Sequence, residues 1–584
     1  MGRKITFNES PRPQFVRNNF EILDGKWDFA FDHSNTGETQ GYSNGFEKQY
    51  DIIVPFAYQC PSSMINIQTR CDYVWYQRMI NVDLKSNEDL LLHLEGSDYV
   101  TKVYVNGQYV DCQVGGYHRL TFDITKYVKQ GENLLVVKCE DDYSTEKPRG
   151  KQRWKDENFG CWYVDTTGIY KSVWLEKVNH ERVNNVKITP LLNEKKVILE
   201  YETINCSNHT IKSDVLFDGV LVSSCETVVE NNIVKCEVDL SANIQTWCIE
   251  HPNLYDLNIS LIHQGETVDY VESYFGLREV KAMNGKIYLN GKELYQKLVL
   301  DQGYFLESHL SAPSNQALYE DITKMMELGF NGCRKHQKIE DERFIYYADV
   351  LGYLMWSEMP SMYSNTAKSR AAFEVEWLNT VKQHYNHPCI IAWTPLNESW
   401  GVEQIKTRKV EQEFANLIYH LTKEYDPYRF VITNDGWEHT ISDILTIHHY
   451  EQDGKKLHSY YETIEKAISE KWEEHHKGAY CDGYGYNGQP IMITEFGGTA
   501  HIKNTEGSTE GSSNWGYGVG VKDDSEYVER LSSLFRALHA LEYSSGYCYT
   551  QVSDVQQEVN GVLFENREFK VTPNLLKDVQ DERN

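Results

Sequence analysis

The pattern that most constrains the fold is a regular alternation of apolar and amphipathic stretches from residue 279 to the carboxyl end. Short apolar runs, each suited to a buried strand, alternate there with helical patterns whose apolar residues recur every three to four positions. The runs that we interpret as strands are 294–300, 332–336, 353–358, 389–394, 430–433, 444–448, 491–494 and 546–550. Helices are predicted, among others, at 317–328, 344–351, 373–385, 404–424 and 527–541. Eight strands in about 300 residues are typical of a (β/α)8 or TIM barrel, so residues 279–584 are predicted to form one.

The first 278 residues have a different pattern. Short alternating stretches separated by turn residues dominate residues 1–180, and Asn106-Gly107 favours a two-residue hairpin turn. This region is predicted to be an all-β sandwich. A second set of short strands over 181–278, without a clear disulfide pair, indicates an immunoglobulin-like sandwich. A chain of 584 residues is too long for one core, and about two to four domains are expected.

Two glutamates directly follow apolar strands of the predicted barrel. Glu398 comes shortly after the run at 389–394, and Glu495 follows the run at 491–494. Parallel α/β folds place their chemistry at these carboxyl ends of strands. Hydrolysis of a glycosidic bond requires two carboxyl groups, one to protonate the leaving oxygen and one to attack or stabilise the anomeric carbon. A single glutamate after an apolar run is usually a solvated loop residue, but the pair favours a catalytic site.

Charge and cysteine content exclude several classes of partner. The formal net charge of −28, from 86 acidic and 58 basic residues, argues against nucleic acid or an anionic membrane surface and favours a small neutral ligand. No apolar run approaches the length of a transmembrane helix, and no secretory signal is visible. The 13 cysteines show neither CxxC spacing nor a Cys/His cluster. They are interpreted as core residues of a reducing compartment, and a cytoplasmic location is expected.

The longest motif runs from Asn386 to Glu398 as Asn-His-Pro-Cys-Ile-Ile-Ala-Trp-Thr-Pro-Leu-Asn-Glu. It resembles the acid/base signature of family 2 glycoside hydrolases, the family of β-galactosidases, β-glucuronidases and β-mannosidases. Ile493-Thr-Glu495-Phe-Gly is similar to the family's nucleophile segment, and Thr167-Gly-Ile-Tyr-Lys-Ser-Val-Trp174 to its sugar-binding domain. The resemblance implies a jelly roll at 1–180, Glu398 as acid/base and Glu495 as nucleophile of a retaining exo-glycosidase.

The resemblance also assigns roles to neighbouring residues. Arg334 is expected beside Glu495, where its charge would keep the nucleophile ionised; the alternative is a surface Arg-Lys-His cluster. Tyr450 stands where the family has a tyrosine that hydrogen-bonds the nucleophile. His336 departs from the family pattern, which places this histidine two residues later, and suggests a distinct subgroup. Glu398 is expected to hold a proton at working pH, with a pKa above that of Glu495.

Other barrel residues are candidates for substrate binding, and each has a structural role as an equal alternative. Asp301 and Asp435 follow the first and fifth strands, where each carboxylate would accept bonds from sugar hydroxyls or cap the following turn. His448 and His449 end the sixth strand, and adjacent strand residues point to opposite faces, so a shared metal ion is not expected. No cofactor or metal is expected elsewhere. The complete set of candidate substrate-binding residues is Asp301, Arg334, His336, Trp393, Asn397, Asp435, His448, Tyr450 and Tyr549.

Two groups of candidate contacts rest on weaker signals. Trp393 and Tyr549 are strand aromatics that would either form the floor of a sugar subsite or pack in the core. From the first domain, Arg149, Lys151 and Trp162 are candidates for the rim of the site. A solvated basic turn is the alternative for that segment.

The identity of the sugar is the least determined property. β-Glucuronidases of the family carry an Asn-x-Lys pair that binds the substrate carboxylate, and Glu558-Val-Asn560 stands in its place with an acid and no cation. Trp162 stands about where large β-galactosidases carry an acidic residue, which disfavours strict lactase-like recognition. A small glycoside or oligosaccharide with a neutral terminal sugar remains, with β-D-galactoside first. β-D-Galactofuranoside, α-L-arabinoside and β-mannoside stay open, and β-glucuronide is disfavoured.

The sequence also bears on two other classes of protein and on the oligomeric state. A non-catalytic carbohydrate-binding protein on the same scaffold is disfavoured because both glutamates are present. A transglycosylase would use the same covalent intermediate with a sugar acceptor in place of water, and the sequence does not separate it from a hydrolase. Large family members commonly self-associate, so a homo-oligomer is expected.

Overall fold

The computed structural model describes residues 10–472, 476–501 and 514–583. Residues 20–179 form a β-sandwich of two antiparallel sheets whose inward side chains share one apolar core. Asn106 and Gly107 form the predicted hairpin turn, with φ of 50° and 80° as a type I′ turn requires. The larger sheet consists, in spatial order, of Tyr50–Val54, Gly25–Phe31, Tyr73–Val82, Gly131–Glu140, Val100–Val105 and Gln108–Val114. The smaller sheet consists of Phe20–Ile22, Val173–Asn179, Glu88–Leu94 and Leu120–Asp123. A separate two-stranded sheet is formed by Ser97–Asp98 and Gly168–Ile169.

The second domain is the predicted immunoglobulin-like sandwich. Its strands alternate buried and exposed residues, as in Ile233–Asp239, where every second side chain enters the core. One sheet contains Arg182–Leu191, Lys196–Ile204 and Ile233–Asp239; the other contains Val220–Val228, Thr210–Phe217, Tyr255–His263 and Glu266–Phe275. All thirteen cysteines of the chain carry free thiols, so the apolar core holds this sandwich together.

The third domain is the predicted TIM barrel, a curled sheet of eight parallel strands. Barrel strands 1 to 8, numbered in chain order, are Gln296–Asp301, Gly332–Lys335, Leu354–Glu358, Ile390–Thr394, Phe430–Val431, Leu445–His449, Ile491–Gly497 and Ser544–Thr550. Strand 5 is short because the chain leaves the main sheet there. Leu396–Asn397 and Asn434–Asp435 then pair in a small ladder beyond the ends of strands 4 and 5. This ladder holds Asn397 and Asp435 side by side at the mouth of the barrel.

Helices surround the barrel, and most of them begin at a Ser, Thr or Asp side chain that accepts a hydrogen bond from an amide of the first turn. Thr366 and Ser369 form a reciprocal capping box, so the third helix starts at Ala367 and not at the predicted residue 373. The α-helices are Asn315–Glu327, Glu342–Leu351, Ala367–His384, Lys409–Tyr425, Gly454–Tyr461, Ile464–Ala467, Asp524–His539 and Pro573–Asp581. A small sheet of Val280–Met283, Lys286–Leu289 and Lys292–Glu293 joins the second domain to the barrel. Across the described ranges, no helix combines the length and apolar character needed to span a membrane.

A loop of the first domain reaches the carboxyl-terminal face of the barrel. The amides of Arg149 and Gly150 donate to the carbonyl oxygen of Ser361, at 2.8 and 3.0 Å. Farther along the same loop, the hydroxyl of Tyr163 donates to the carboxylate of Glu558, which follows barrel strand 8. The mouth of the barrel is therefore built from two domains.

Candidate active site

Glu398 and Glu495 face each other at the mouth of the barrel. A carboxylate oxygen of one lies within 4.8 Å of a carboxylate oxygen of the other. The Glu398 backbone adopts a φ of 52°, and its amide donates to the Asp435 carbonyl oxygen at 2.9 Å, which fixes the turn after the ladder. The side chain of Glu398 is 18% exposed and that of Glu495 is 5% exposed. The carboxyl group that must reach a leaving group is thus the more accessible one.

Arg334 lies at the centre of the site, fully buried, where the sequence predicted it. Its Nη2 donates to Oε1 of Glu495 at 2.8 Å and to Oδ1 of Asn397 at 2.9 Å. Its Nε donates to Glu358 at 2.6 Å, and Nη1 lies 2.7 Å from Asp435 Oδ2. Burial opposes the charge, but these carboxylates raise the pKa of the guanidinium well above its ordinary value. The alternative of a surface basic cluster does not hold.

Glu358 is a site residue that the sequence reasoning missed. It ends barrel strand 3 and accepts bonds from Arg334 and from the amide of Gln337 at 3.0 Å. Burial raises its pKa to about 7, and the neighbouring Asp435 adds to that rise while Arg334 opposes it. The signal was present, because Glu358 is a carboxylate at the end of an apolar strand, as Glu398 and Glu495 are.

His448 bridges two carboxylates. Its Nδ1 lies 2.8 Å from Oε1 of Glu398 and its Nε2 lies 2.9 Å from Oδ2 of Asp435. Burial disfavours the charged ring, but Glu495 and Asp435 outweigh that effect and raise the pKa of His448 to about 10. His449 points the other way, toward the hydroxyl of Tyr461 at 2.8 Å, as strand alternation predicts.

The protonation expected of Glu398 differs from what the structure indicates. Burial alone would raise the pKa of Glu398, but the hydrogen bond and charge of His448, followed by the charges of Lys151 and Arg334, lower it below its ordinary value. In the free site the proton therefore resides on His448, at hydrogen-bond distance from Glu398. Glu398, His448 and Glu495 each offer a ligand atom within 4.8 Å of the others, so these three side chains are close enough to hold a metal ion together.

Tyr450 lies where the resemblance implied, beside Glu495. Its hydroxyl donates to Oε2 of Glu495, the oxygen that Arg334 leaves free. The ring of Tyr517 stacks on that of Tyr450, with centroids 3.4 Å apart and planes 4° apart. Tyr517 was not predicted, since its position far from any barrel strand gave no signal.

The two aspartates and Asn397 have different surroundings. Asp301 caps the loop after strand 1, accepting from the Gly303 amide at 2.7 Å, and pairs with Lys335 at 2.6 Å, so the capping alternative describes it. Asp435 has no exposed surface and lies behind Glu398 and Glu495 in the polar network. Asn397 places a buried Nδ2 amide in the site that has no hydrogen-bond partner among the described residues.

Of the two alternatives for Trp393 and Tyr549, a sugar floor or core packing, the structure has core packing. Trp393 is fully buried and its ring nitrogen donates to Asp426 at 2.8 Å, behind helix Lys409–Tyr425. Tyr549 packs against Phe535 of helix Asp524–His539. Both rings point outward, because alternate residues of a barrel strand face the helices and the interior.

Aromatic rings at the rim surround the leaving-group side of Glu398. The ring nitrogen of Trp400 lies 3.4 Å from Oε2 of Glu398. Trp162 from the first domain packs edge-on against Trp400 at 5.3 Å and against Tyr363 at 5.6 Å. Trp162 therefore lies at the rim as expected. Arg149 does not, because it is buried and donates to the backbone carbonyls of Asp142 and Arg153.

Lys151 from the same loop is a buried ammonium beside the catalytic glutamates. Its Nζ lies 3.3 Å from Sγ of Cys161, and within the described ranges no carboxylate lies within ion-pair distance of it. Burial lowers its pKa, but Cys161, Tyr363, Glu558 and Glu398 outweigh that effect and raise it. Burial, followed by the charges of Lys151 and Arg334, lowers the pKa of His336 well below its ordinary value and keeps that ring neutral.

A group of five polar side chains, here called the polar wall, closes one side of the mouth. Glu558 is its centre and accepts from Tyr163, from Gln302 at 3.4 Å and from Asn560 at 2.9 Å. Gln551 joins Gln302 and Asn560 at 2.7 and 2.8 Å. All the donors to Glu558 are neutral. The polar wall consists of Tyr163, Gln302, Gln551, Glu558 and Asn560.

The chain is similar to named proteins in sequence and to solved structures in fold. The chain is 27% identical over 456 residues to a Formosa agariphila protein provisionally named beta-glucuronidase, with 75% of this chain and 52% of that protein covered. It is 29% identical over 348 residues to the beta-galactosidase of Thermoanaerobacter pseudethanolicus, covering 56% and 44%. The chain thus spans about half the length of these relatives. The Ruminococcus gnavus β-glucuronidase bound to D-glucuronic acid has the same fold (TM-score 0.79, 18% identity, 98% and 100% coverage).

Family models match almost the whole chain in three consecutive parts. The model for the sugar-binding domain of glycosyl hydrolases family 2 matches residues 20–179, and the family's central model matches 181–278. The model for its TIM barrel domain matches 280–582, about half of the chain. The protein belongs to glycosyl hydrolases family 2.

Proposed function

We propose that this protein hydrolyses the glycosidic bond of a terminal β-linked sugar with net retention of anomeric configuration. The separation of Glu398 and Glu495 is the observation that carries the proposal, because carboxylate oxygens within 4.8 Å of each other fit the short spacing of retaining enzymes and not the wider spacing of inverting ones. Retaining enzymes place their carboxyl groups about 5–5.5 Å apart, and inverting enzymes about 6.5–9.5 Å apart.

Each step uses a residue already placed in the site. Glu495, which accepts hydrogen bonds from Arg334 and Tyr450, attacks the anomeric carbon and forms a glycosyl ester. Glu398 gives a proton to the departing oxygen, and His448, 2.8 Å away, is positioned to supply it. Glu398 then takes a proton from water, which attacks the anomeric carbon and releases Glu495.

Two features support action on a single terminal sugar. The buried amide of Asn397, next to Glu398, offers a free donor to a hydroxyl of the bound ring. The polar wall ties the loop of the first domain to the segment after barrel strand 8 by hydrogen bonds, and a mouth bounded in this way on one side favours an exo-acting enzyme.

A neutral sugar of the β-galactoside type is the first candidate substrate. The donors around Glu558 are neutral, so the position held by a cation in family β-glucuronidases supplies an acidic group here. A uronate carboxylate there would lose its hydration without gaining a cationic partner, which costs several kcal/mol. The named beta-galactosidase relative is consistent with this choice.

A β-uronide is the second candidate, and Lys151 is the observation that favours it. Its buried ammonium lacks a carboxylate partner in the described parts of the chain and lies near both Glu398 and Glu558. A substrate carboxylate would supply that partner from a direction other than Glu558. The relatives named as glucuronidases are consistent with this candidate.

One experiment tests the reaction and separates the two substrates. Nitrophenyl glycosides of galacto, gluco, manno, fuco and glucurono configuration, and the furanosides, are assayed with wild type and Lys151→Met. We expect the neutral galactoside to exceed the glucuronide in kcat/KM by at least about a hundredfold, which corresponds to about 2.7 kcal/mol. A glucuronide preference that Lys151→Met abolishes would instead select the second candidate. Turnover of no glycoside, or a proton NMR time course that shows the inverted anomer first, would refute the proposed reaction.

A further inference from the structure

We propose that the immunoglobulin-like domain carries a zinc site made by Glu181, His209 and His263. One ligand atom from each of these side chains lies within 4.8 Å of the other two. The cluster belongs to a different domain from Glu398 and Glu495, and nothing in the hydrolytic mechanism uses it.

Strand pairing brings the two histidines together. His209 directly precedes the strand Thr210–Phe217, and His263 ends the strand Tyr255–His263. Thr210 is paired with Ile262, so the two histidines occupy the next position of the same ladder. Their ring centroids are 4.2 Å apart. Glu181 approaches from the short segment that links the first domain to the second.

The hydrogen bonds of His209 fix which nitrogen faces the cluster. Nδ1 lies 3.0 Å from the carbonyl oxygen of Ser207, which can only accept, so Nδ1 carries the hydrogen. Nε2 therefore faces the cluster, 3.1 Å from Oε2 of Glu181. Either a proton on Nε2 or a metal ion shared by the two groups stabilises such a pair, and we propose the metal ion because a second histidine joins the same cluster. A backbone carbonyl that orients the far nitrogen is also the usual arrangement of a metal-bound histidine.

His263 supplies the second, independent observation. Its Nδ1 is buried and has no hydrogen-bond partner within residues 10–472, 476–501 and 514–583. One ring nitrogen of His263 also lies within 4.8 Å of the ligand atoms of His209 and Glu181, so a cation shared by the three groups accounts for the cluster. Two imidazole nitrogens and one carboxylate oxygen are ligands that Zn²⁺ accepts in tetrahedral geometry, at about 2.0–2.2 Å each.

The surroundings indicate three protein ligands and a fourth position that is open to solvent. The Glu181 side chain is 39% exposed and that of His209 is 2% exposed, so the fourth position opens to water on the glutamate side. A bound ion would fasten the segment between strands Val173–Asn179 and Arg182–Leu191 to the edge of the second sandwich. It would thereby hold the first two domains in a fixed relation.

Zinc binding to the full-length protein tests the site. Protein stripped with a chelator is titrated with Zn²⁺ alone, the bound metal is counted by mass spectrometry, and thermal unfolding is recorded with and without the ion. We expect wild type to bind one ion per chain at this site and to unfold at a higher temperature with zinc, because the ion binds only the folded state. His263→Ala and Glu181→Gln should each lose that ion and the shift in Tm.

Two control variants make the result specific. His251→Ala removes an exposed histidine of the same domain and should keep both the ion and the shift. Glu398→Gln removes one potential ligand from the active-site cluster of Glu398, His448 and Glu495. This variant should also keep the ion, and that result would exclude zinc binding in the active site. The proposal is overturned if wild type binds no zinc, or if the double variant of Glu181 and His263 binds as much as wild type.

Discussion

Charge balance around a single arginine organises the catalytic residues. Arg334 contacts Glu358, Asp435 and Glu495, and a second cation, protonated His448, lies between Asp435 and Glu398. Four carboxyl groups thus share two positive charges in a buried space. Burial raises the pKa of Glu358 to about 7, and the charge of Asp435 adds to that rise. Glu495 accepts a hydrogen bond from the arginine directly.

The first prediction concerns Glu398 as the acid. Glu398→Gln removes the proton donor, so hydrolysis of a glycoside with a poor leaving group should slow by a factor of about 10²–10⁴, as is typical of lost general acid catalysis. A dinitrophenyl glycoside, which leaves without a proton, should lose far less. Steady-state rates with both substrates measure the difference. Glu403→Gln, an exposed neighbour in the same loop, is the control, and equal losses for both substrates would rule out the assignment.

The second prediction concerns pH. The pKa of His448 is raised to about 10 and that of Glu398 is lowered, so the proton of the pair is held until the pH rises toward 10. The pair titrates as a unit, and loss of that proton removes activity at the alkaline side. His448→Gln removes the imidazole that holds this proton. The alkaline limb of the kcat/KM profile should therefore move to lower pH, toward the titration of Glu398 alone. His449→Gln, on the opposite face, should leave the limb in place; an unmoved limb in His448→Gln would contradict the assignment.

At the scale of secondary-structure elements, short segments do more than long ones to position the residues of the site. The two-residue ladder of Leu396–Asn397 and Asn434–Asp435 aligns the acid with its network, although it lies outside the main barrel sheet. The loop at 148–163, from a different domain, supplies Lys151, Trp162 and Tyr163 to the mouth. Neither segment has a hydrophobic periodicity that would reveal its partner.

The third prediction concerns this loop. Tyr163→Phe removes a donor to the buried carboxylate of Glu558, and leaving such a group short of a partner costs about 1–3 kcal/mol. We expect a lower Tm, together with a higher KM if the loop moves away from the mouth. Tyr143→Phe is the matched control, because that hydroxyl makes an exposed bond to Asp156 at 3.3 Å. Equal changes in Tm for the two variants would show that Tyr163 has no special role.

At the scale of the whole molecule, the net charge of −28 acts on any charged substrate. The fourth prediction is that kcat/KM for a nitrophenyl uronide rises as salt is added, because screening weakens the repulsion over a Debye length that falls from about 30 Å at 0.01 M to about 8 Å at 0.15 M. A neutral glycoside should show no such trend, which makes it the internal control. A uronide rate that falls with salt would mean that the local field of Lys151 dominates.

The sequence by itself determined the three-domain architecture and the two glutamates. Buried strands and amphipathic helices carry periodic patterns that follow from which face meets the core, so the barrel strands were predicted to within three residues at their ends. Glu398 and Glu495 were recognisable because each directly follows an apolar strand, in a motif that resembles a family signature. Glu358 follows the same rule and could have been found in the same way.

Only the tertiary structure decided which side chains meet. Trp393 and Tyr549 lie in the right strands but face the helices, since one residue of offset reverses the direction of a strand side chain. Lys151, Tyr163 and Tyr517 reach the mouth from segments distant in sequence or outside the barrel strands, where no local pattern marks them. The proton on His448 is likewise a tertiary property, because it depends on carboxylates contributed by three other segments. Contacts between segments set these charges and distances, and a linear sequence does not display them.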